Sequence, residues 1–304
     1  MLRGLAFAIV LLIVIHCTSW YFGVDFSGNM SDWAGLKREK KGSLDAVYIG
    51  ASNVFAFWQP LFGWADHGIA VWSMAIPGLT CAAIKHIIIQ ARETQPDALY
   101  IISLNTFKGN QLYLSASNLH KALDYTPFSL NKLRMTYDMT SRSEFQGLDS
   151  LEFYLPIIRF HGRWDELEPW IFSKPNIAQK RSYHYPAYAC TVYNIEKELV
   201  LNNEIRTPIP EKVNGMLNEL LDYFDEHHVN ALFVKSPQAI KAKAQGHMNS
   251  MEDLLEARGY PCLDLLEDIY DTELDLRMDF YNSEHTNMHG SLKFSKAVSD
   301  YLVE

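Results

Sequence analysis

Apolar residues fall along this chain in three different ways. The first is a continuous run. Leu5 to Ile15 is unbroken, and Cys17 to Val24 extends it with Trp20, Tyr21 and Phe22 at the far end. About 20 apolar residues span a bilayer, and Trp and Tyr favour its interfaces, so residues 1–24 are predicted to form an N-terminal transmembrane helix. Arg3 precedes the run, as in a signal anchor, no small-x-small cleavage site follows it, and His16 before Cys17 spoils a lipoprotein-type cleavage box. A retained single anchor is the expectation, set against a buried first helix of a soluble protein. Lys37, Arg38, Lys40 and Lys41 follow closely, where a positive-inside count would put them in the cytoplasm; the chemistry read below favours an extracytoplasmic domain instead.

In the second pattern, short apolar runs alternate with helical periodicity. Asp45 to Gly50 and Ala98 to Leu104 read as buried strands. Between them Ala83, Ile84, Ile87, Ile88 and Ala91 recur at helical spacing until Gln95-Pro96-Asp97 stops the helix. A further unit starts at Pro210, with Val213, Leu217, Leu220, Leu221 and Phe224 as the apolar face and Ala231 to Lys235 as the strand. A last helix carries Leu292, Val298, Tyr301 and Leu302. Strands alternating with helices predict an α/β fold, a three-layer α/β/α sandwich on a mainly parallel sheet, with ligands at the carboxyl ends of the strands.

The third pattern is the absence of a period. From about residue 110 to 206 the chain is rich in Tyr, Trp, His and Pro, which suggests a central insertion over the sheet. It includes Arg159-Phe160-His161-Gly162-Arg163-Trp164 and the cluster Tyr183, His184, Tyr185 and Tyr188; such aromatics stack on sugars or serve as ordinary packing. The predicted organisation is an anchor at 1–24, a juxtamembrane linker at 25–44 and a domain at 45–304 containing the insertion.

Composition narrows the function. The 304 residues are 48% hydrophobic with a net charge of −9, which lacks the basic footprint of a nucleic-acid binder. Cys17, Cys81, Cys190 and Cys262 form no CxxC pair, so no zinc knuckle or dithiol redox motif is present; a disulfide among the last three stays open for an extracellular domain. His120 and the pair His227-His228 have no ligand partners at metal spacing, so neither metal nor cofactor is predicted.

The sharpest chemical signal is Val47-Tyr48-Ile49-Gly50-Ala51-Ser52-Asn53, a small-residue turn placing a serine at the end of the first strand. A nucleophile there has an exposed hydroxyl and backbone N–H groups near a developing oxyanion; a serine in such a turn is equally often a helix cap. Three more pieces follow in order: Pro77-Gly78, Ser103-Leu104-Asn105-Thr106, and Asn282-Ser283-Glu284-His285-Thr286-Asn287.

This series resembles the Ser, Gly, Asn and His blocks of the SGNH (GDSL-like) hydrolases, and is most similar to their membrane-anchored branch, which includes DltD-like proteins and alginate O-acetylation factors. The resemblance covers Asp45 to Gly109 and Pro210 to Leu302. It implies Ser52 as nucleophile, His285 as base, and an oxyanion hole from the Ser52 amide, the Gly78 amide and the Asn105 side chain. It also implies an esterase or O-acyltransferase acting on an acylated or acyl-accepting surface polymer, glycan or teichoic-type, beside a membrane-bound O-acyltransferase partner. Two positions depart from the family. Ala51 replaces the Asp of Gly-Asp-Ser, and Asn282 replaces the acid three residues before the histidine. An Asn holds an imidazole without stabilising the imidazolium, which in a serine-protease triad costs about 10⁴ in turnover. Asp279, or failing that Glu284, is the expected substitute; otherwise the site is a Ser-His pair, or the chain is a catalytically inactive accessory protein. A Rossmann-type nucleotide enzyme is disfavoured because Gly50-Ala51-Ser52 lacks the G-x-G-x-x-G fingerprint.

Overall fold

Five short apolar runs form one parallel sheet: β1 (Ala46–Gly50), β2 (Val71–Ala75), β3 (Leu99–Ser103), β4 (Ala231–Lys235) and β5 (Cys262–Asp264), in the order β2-β1-β3-β4-β5. The computed structural model describes residues 2–22, 33, 35–108, 116–124, 126–141, 151–162, 191–199, 201–269 and 271–304. In chain order its helices are α1 (Leu2–Phe22), α2 (Ser52–Phe57), α3 (Pro60–His67), α4 (Cys81–Arg92), α5 (Ala116–Leu123), α6 (Leu130–Ser141), α7 (Leu151–Tyr154), α8 (Ile157–Phe160), α9 (Glu211–His227), α10 (Ala242–Ala257) and α11 (Met288–Val303).

Strands buried on both faces read as continuous apolar runs, and alternate residues still go to opposite sides. Val47, Ile49, Tyr100, Ile102 and Phe233 pack with Ile84, Ile87 and Ile88 of α4, Leu217 and Leu221 of α9, and Met248 and Met251 of α10. Ala46, Tyr48, Ile101, Leu232 and Val234 pack on the other face with Val54 and Phe57 of α2 and Phe294 and Val298 of α11. These are the three layers of an α/β sandwich. The strand order reverses between β1 and β3, and at such a switch point the loops leaving the two strands diverge and open a crevice at their carboxyl ends.

The region without a sequence period contains helices α5 to α8 among its described residues. Leu119, Leu123, Met135, Met139 and Phe153 join the α4 side of the core. The cluster Tyr183, His184, Tyr185 and Tyr188 lies outside the described residues, as do Arg163, Trp164, Cys190 and residues 25–32 of the predicted linker. Cys17, Cys81 and Cys262 are free thiols.

Helix α1 is 21 residues long. Leu5, Phe7, Leu12 and Ile13 along it are 63%, 69%, 65% and 56% exposed. Its later turns contact the insertion: Ser19 Oγ accepts from the Ile157 N–H at 2.9 Å, and the His16 and Phe128 rings are 4.9 Å apart. Among the described residues no helix is long and apolar enough to cross a membrane; the side chains of α1 are described over residues 3–19 only.

Candidate active site

Strand β1 ends at Gly50 and the chain enters α2 two residues later. Close packing requires glycine at the turn, because a Cβ there would lie 2.5 Å from Val54 Cγ2 and 2.8 Å from Ser103 Cβ. Ala51 is extended at φ −84°, ψ −156°, and Ser52 opens α2. Its hydroxyl is thereby held at the carboxyl edge of the sheet, beside the switch point.

The candidate base comes from the other end of the chain. A two-strand antiparallel hairpin, β6 (Phe280–Asn282) and β7 (His285–Thr286), is pinned to α2 by Thr286 Oγ1 donating to the Ala56 carbonyl at 2.8 Å. His285 Nε2 lies 2.8 Å from Ser52 Oγ, and Nδ1 lies 2.9 Å from Asn282 Oδ1. Asn282 Oδ1 also accepts from the Glu284 N–H at 2.9 Å. The amide oxygen therefore faces the ring, Nδ1 carries the proton, and Nε2 is left to accept from the serine.

Burial lowers the His285 pKa from the ordinary 6.5, Glu284 pulls it back up, and Lys108 adds to the lowering. A neutral imidazole at neutral pH is the form a general base needs.

Asp279 does not take the place of the missing acid. It is only 3% exposed, and its carboxylate is occupied by Lys293 Nζ at 2.6 Å and the Asp275 N–H at 2.8 Å. Its carbonyl accepts from the Asn287 N–H at 2.9 Å, so Asp279 braces the loop that carries the base. Sequence proximity suggested it for the triad, but a buried carboxylate goes to the cation that neutralises it, and Lys293 supplies that one helical turn into α11. Glu284 is taken by Lys108 Nζ at 3.0 Å. What stands on Nδ1 is an amide.

Ser52, Gly78, Asn105 and His285 line one pocket of about 160 Å³. Gly78 has φ +78°, in the left-handed region that glycine reaches without penalty. The Asn105 amide lies against the backbone of Ser236: Oδ1 accepts its N–H at 2.7 Å and Nδ2 donates to its carbonyl at 3.1 Å. That leaves the second Nδ2 hydrogen for the pocket. Asn53 beside the nucleophile donates to Ser103 Oγ, tying the β1 turn to the end of β3.

Five further residues belong to this site without having been singled out in the sequence: Thr80, Thr106, Lys108, Ser236 and Gln238. Three sit within three residues of Gly78 or Asn105, and two follow the carboxyl end of β4, where loops of a parallel sheet reach its ligand. His289, close to the base in sequence, instead donates its N–H to Asn287 Oδ1 at the start of α11. Among the described residues no group of three or more His, Cys, Asp or Glu is placed to hold a metal ion.

Set against known proteins, the chain matches no family model and no curated protein.

Proposed function

We propose that this chain is a serine-dependent acyl-ester hydrolase or O-acyltransferase acting on a cell-surface glycan or related envelope polymer. The observation that carries the reading is the 2.8 Å approach of His285 Nε2 to Ser52 Oγ, in a pocket shared with Gly78 and Asn105. The order of the four sequence blocks supports it.

In the proposed reaction His285 Nε2 takes the serine proton as Oγ bonds to the ester carbonyl carbon. The carbonyl oxygen becomes an oxyanion facing the Ser52 and Gly78 amides and Asn105 Nδ2. Collapse breaks the ester C–O bond, and the imidazolium returns its proton to the departing alcohol. Water or a polymer hydroxyl then reverses the steps on the acyl-serine, giving hydrolysis or transfer. The imidazolium is held at Nδ1 by the dipole of Asn282, and the nearby Glu284 favours the charged ring.

The apolar, outward-facing side chains of α1 support a membrane tether, and the surface-polymer reading calls for the domain on the extracytoplasmic side. A membrane-bound acyltransferase would then be a neighbour able to deliver the acyl group. A second reading is favoured by one specific observation: the partner of Nδ1 is Asn282, not a carboxylate. In that reading the fold is retained as a non-catalytic accessory of an acyl-transfer complex. A fluorophosphonate probe separates the two, since covalent labelling lost in Ser52→Ala marks an enzyme, whereas no labelling of folded protein marks the accessory.

A further inference from the structure

The pocket around Ser52 holds polar groups that the reaction does not use. Gln238 is 1% exposed and Thr80 is 7% exposed; both line the pocket together with Thr106. Gln238 Nε2, Thr80 Oγ1 and Thr106 Oγ1 are buried atoms with no hydrogen-bond partner among the described residues. Leaving a buried polar group unsatisfied costs stability, so three around one pocket mark positions that a ligand completes. The Gln238 amide is also oriented. Its Oε1 accepts from Lys108 Nζ at 2.6 Å, which leaves Nε2 as a donor.

Charge limits what that ligand is. Among the described lining residues the only Lys or Arg is Lys108 and the only carboxylate is Glu284, and the two are paired at 3.0 Å. A uronate or polyphosphate chain calls for unspent cations, and an aminoacyl ester calls for an unspent carboxylate at its ammonium. Among its described residues the site offers neither. The pocket has a volume of about 160 Å³, room for a short acyl group beside the sugar oxygens.

We infer that Gln238, Thr80 and Thr106 form a subsite for the hydroxyl and ester oxygens of an uncharged sugar, so that the substrate is a short, neutral acyl ester of a neutral glycan. The inference rests on the ester-cleaving reading of the Ser52 site. Gln238 and Thr80 act as binding residues, and Thr106 completes the ring of hydrogen bonds.

The test is calorimetric titration of the full-length Ser52→Ala protein with O-acetylated xylotetraose, an O-acetylated uronate tetramer and an alanyl ester of glycerol phosphate. The neutral ligand is expected to bind at least tenfold more tightly than either charged one. Adding Gln238→Leu or Thr80→Val should each weaken it about tenfold, while Thr80→Ser, which keeps the hydroxyl, should restore it; thermal melting confirms that each variant is folded. Preference for a charged ligand, no binding of the neutral one, or parental affinity in folded Gln238→Leu and Thr80→Val overturns the subsite. Fluorophosphonate labelling of Ser52 without glycan binding sinks the subsite and leaves the enzyme standing. Glycan binding without labelling keeps the subsite and removes the catalytic reading.

Discussion

Among the histidines with both ring nitrogens engaged, His285 and His86 have nearly opposite surroundings. His285 faces a serine hydroxyl on one side and an amide oxygen on the other. His86, on α4 and 3% exposed, has Asn131 Oδ1 at 3.0 Å from Nδ1 and Asp138 Oδ2 at 3.0 Å from Nε2. Asn131 Nδ2 donates to the His86 carbonyl at 2.8 Å, so its oxygen faces Nδ1 and that nitrogen carries a proton. Burial lowers the His86 pKa from 6.5, and Asn131 and Asp138 pull it back up. His86 thus has the carboxylate that His285 lacks, and it borders a larger groove of about 710 Å³. It has no activated nucleophile: burial pushes the neighbouring Cys81 thiol up to about 12, which keeps it protonated. A carboxylate makes one histidine a strut between α4 and α6; a hydroxyl at the sheet edge makes the other the candidate base.

The strongest way to break this contrast is mutation on both sides. Ser52→Ala and His285→Ala should each reduce hydrolysis of an acetyl ester by at least about 10⁴ while leaving the melting temperature nearly unchanged. His86→Ala should do the reverse, costing about 2–4 kcal/mol of stability through unpaired Asn131 and Asp138 with kcat/KM altered only a few-fold. A folded His86→Ala protein without activity would end the comparison. Next in size, Asn105→Ala should lower kcat about 10²- to 10³-fold, and denaturant melts should also show a loss, since it strips partners from two buried backbone groups of Ser236.

Smaller effects sharpen the comparison by giving His285 what His86 has. Asn282→Asp should raise kcat for an acetyl ester on the order of 10- to 100-fold, because a carboxylate stabilises the imidazolium formed in the transition state. No gain, together with no probe labelling of the parent, would count for the accessory protein. The smallest effect is in the pH profile. A general base works only when neutral, and burial lowers the His285 pKa from 6.5, so kcat/KM should climb on an acid limb centred below 6.5 and level off above it. Asn282→Asp should move that limb to higher pH, since a nearby negative charge favours the protonated ring.

Much of the scaffold was legible because period and burial agree. Ile84, Ile87, Ile88 and Ala91 keep a strict helical stripe and are all fully buried, and Ala231 to Lys235 forms a strand over those same residues. Helix α10 was not legible. It buries Gln245, His247 and Asn249 among Met248, Met251 and Leu255, and Asn249 supports the buried Lys235 ammonium, so polar residues interrupt the apolar stripe of its inward face. Strand β5 is three residues long and too short to show a period. In the site, the Ser52–His285 pairing was readable from block order, whereas the engagement of Asp279 by Lys293 depends on a three-dimensional choice between partners. The role of Ser236 was invisible because it acts through its backbone, which has no sequence signature.

That backbone contact has a consequence of its own. Asn105 presents its amide to Ser236 as a neighbouring strand would present a peptide, so its side chain continues the β3–β4 ladder just past the last paired residues, Ser103 and Val234. The donor that would meet an oxyanion is therefore set by strand register and not by a mobile loop. Slow amide exchange makes this visible: the Ser236 N–H should exchange with solvent deuterium as slowly as those in the centre of β4, in step with global unfolding, and Asn105→Ala should release it to local opening.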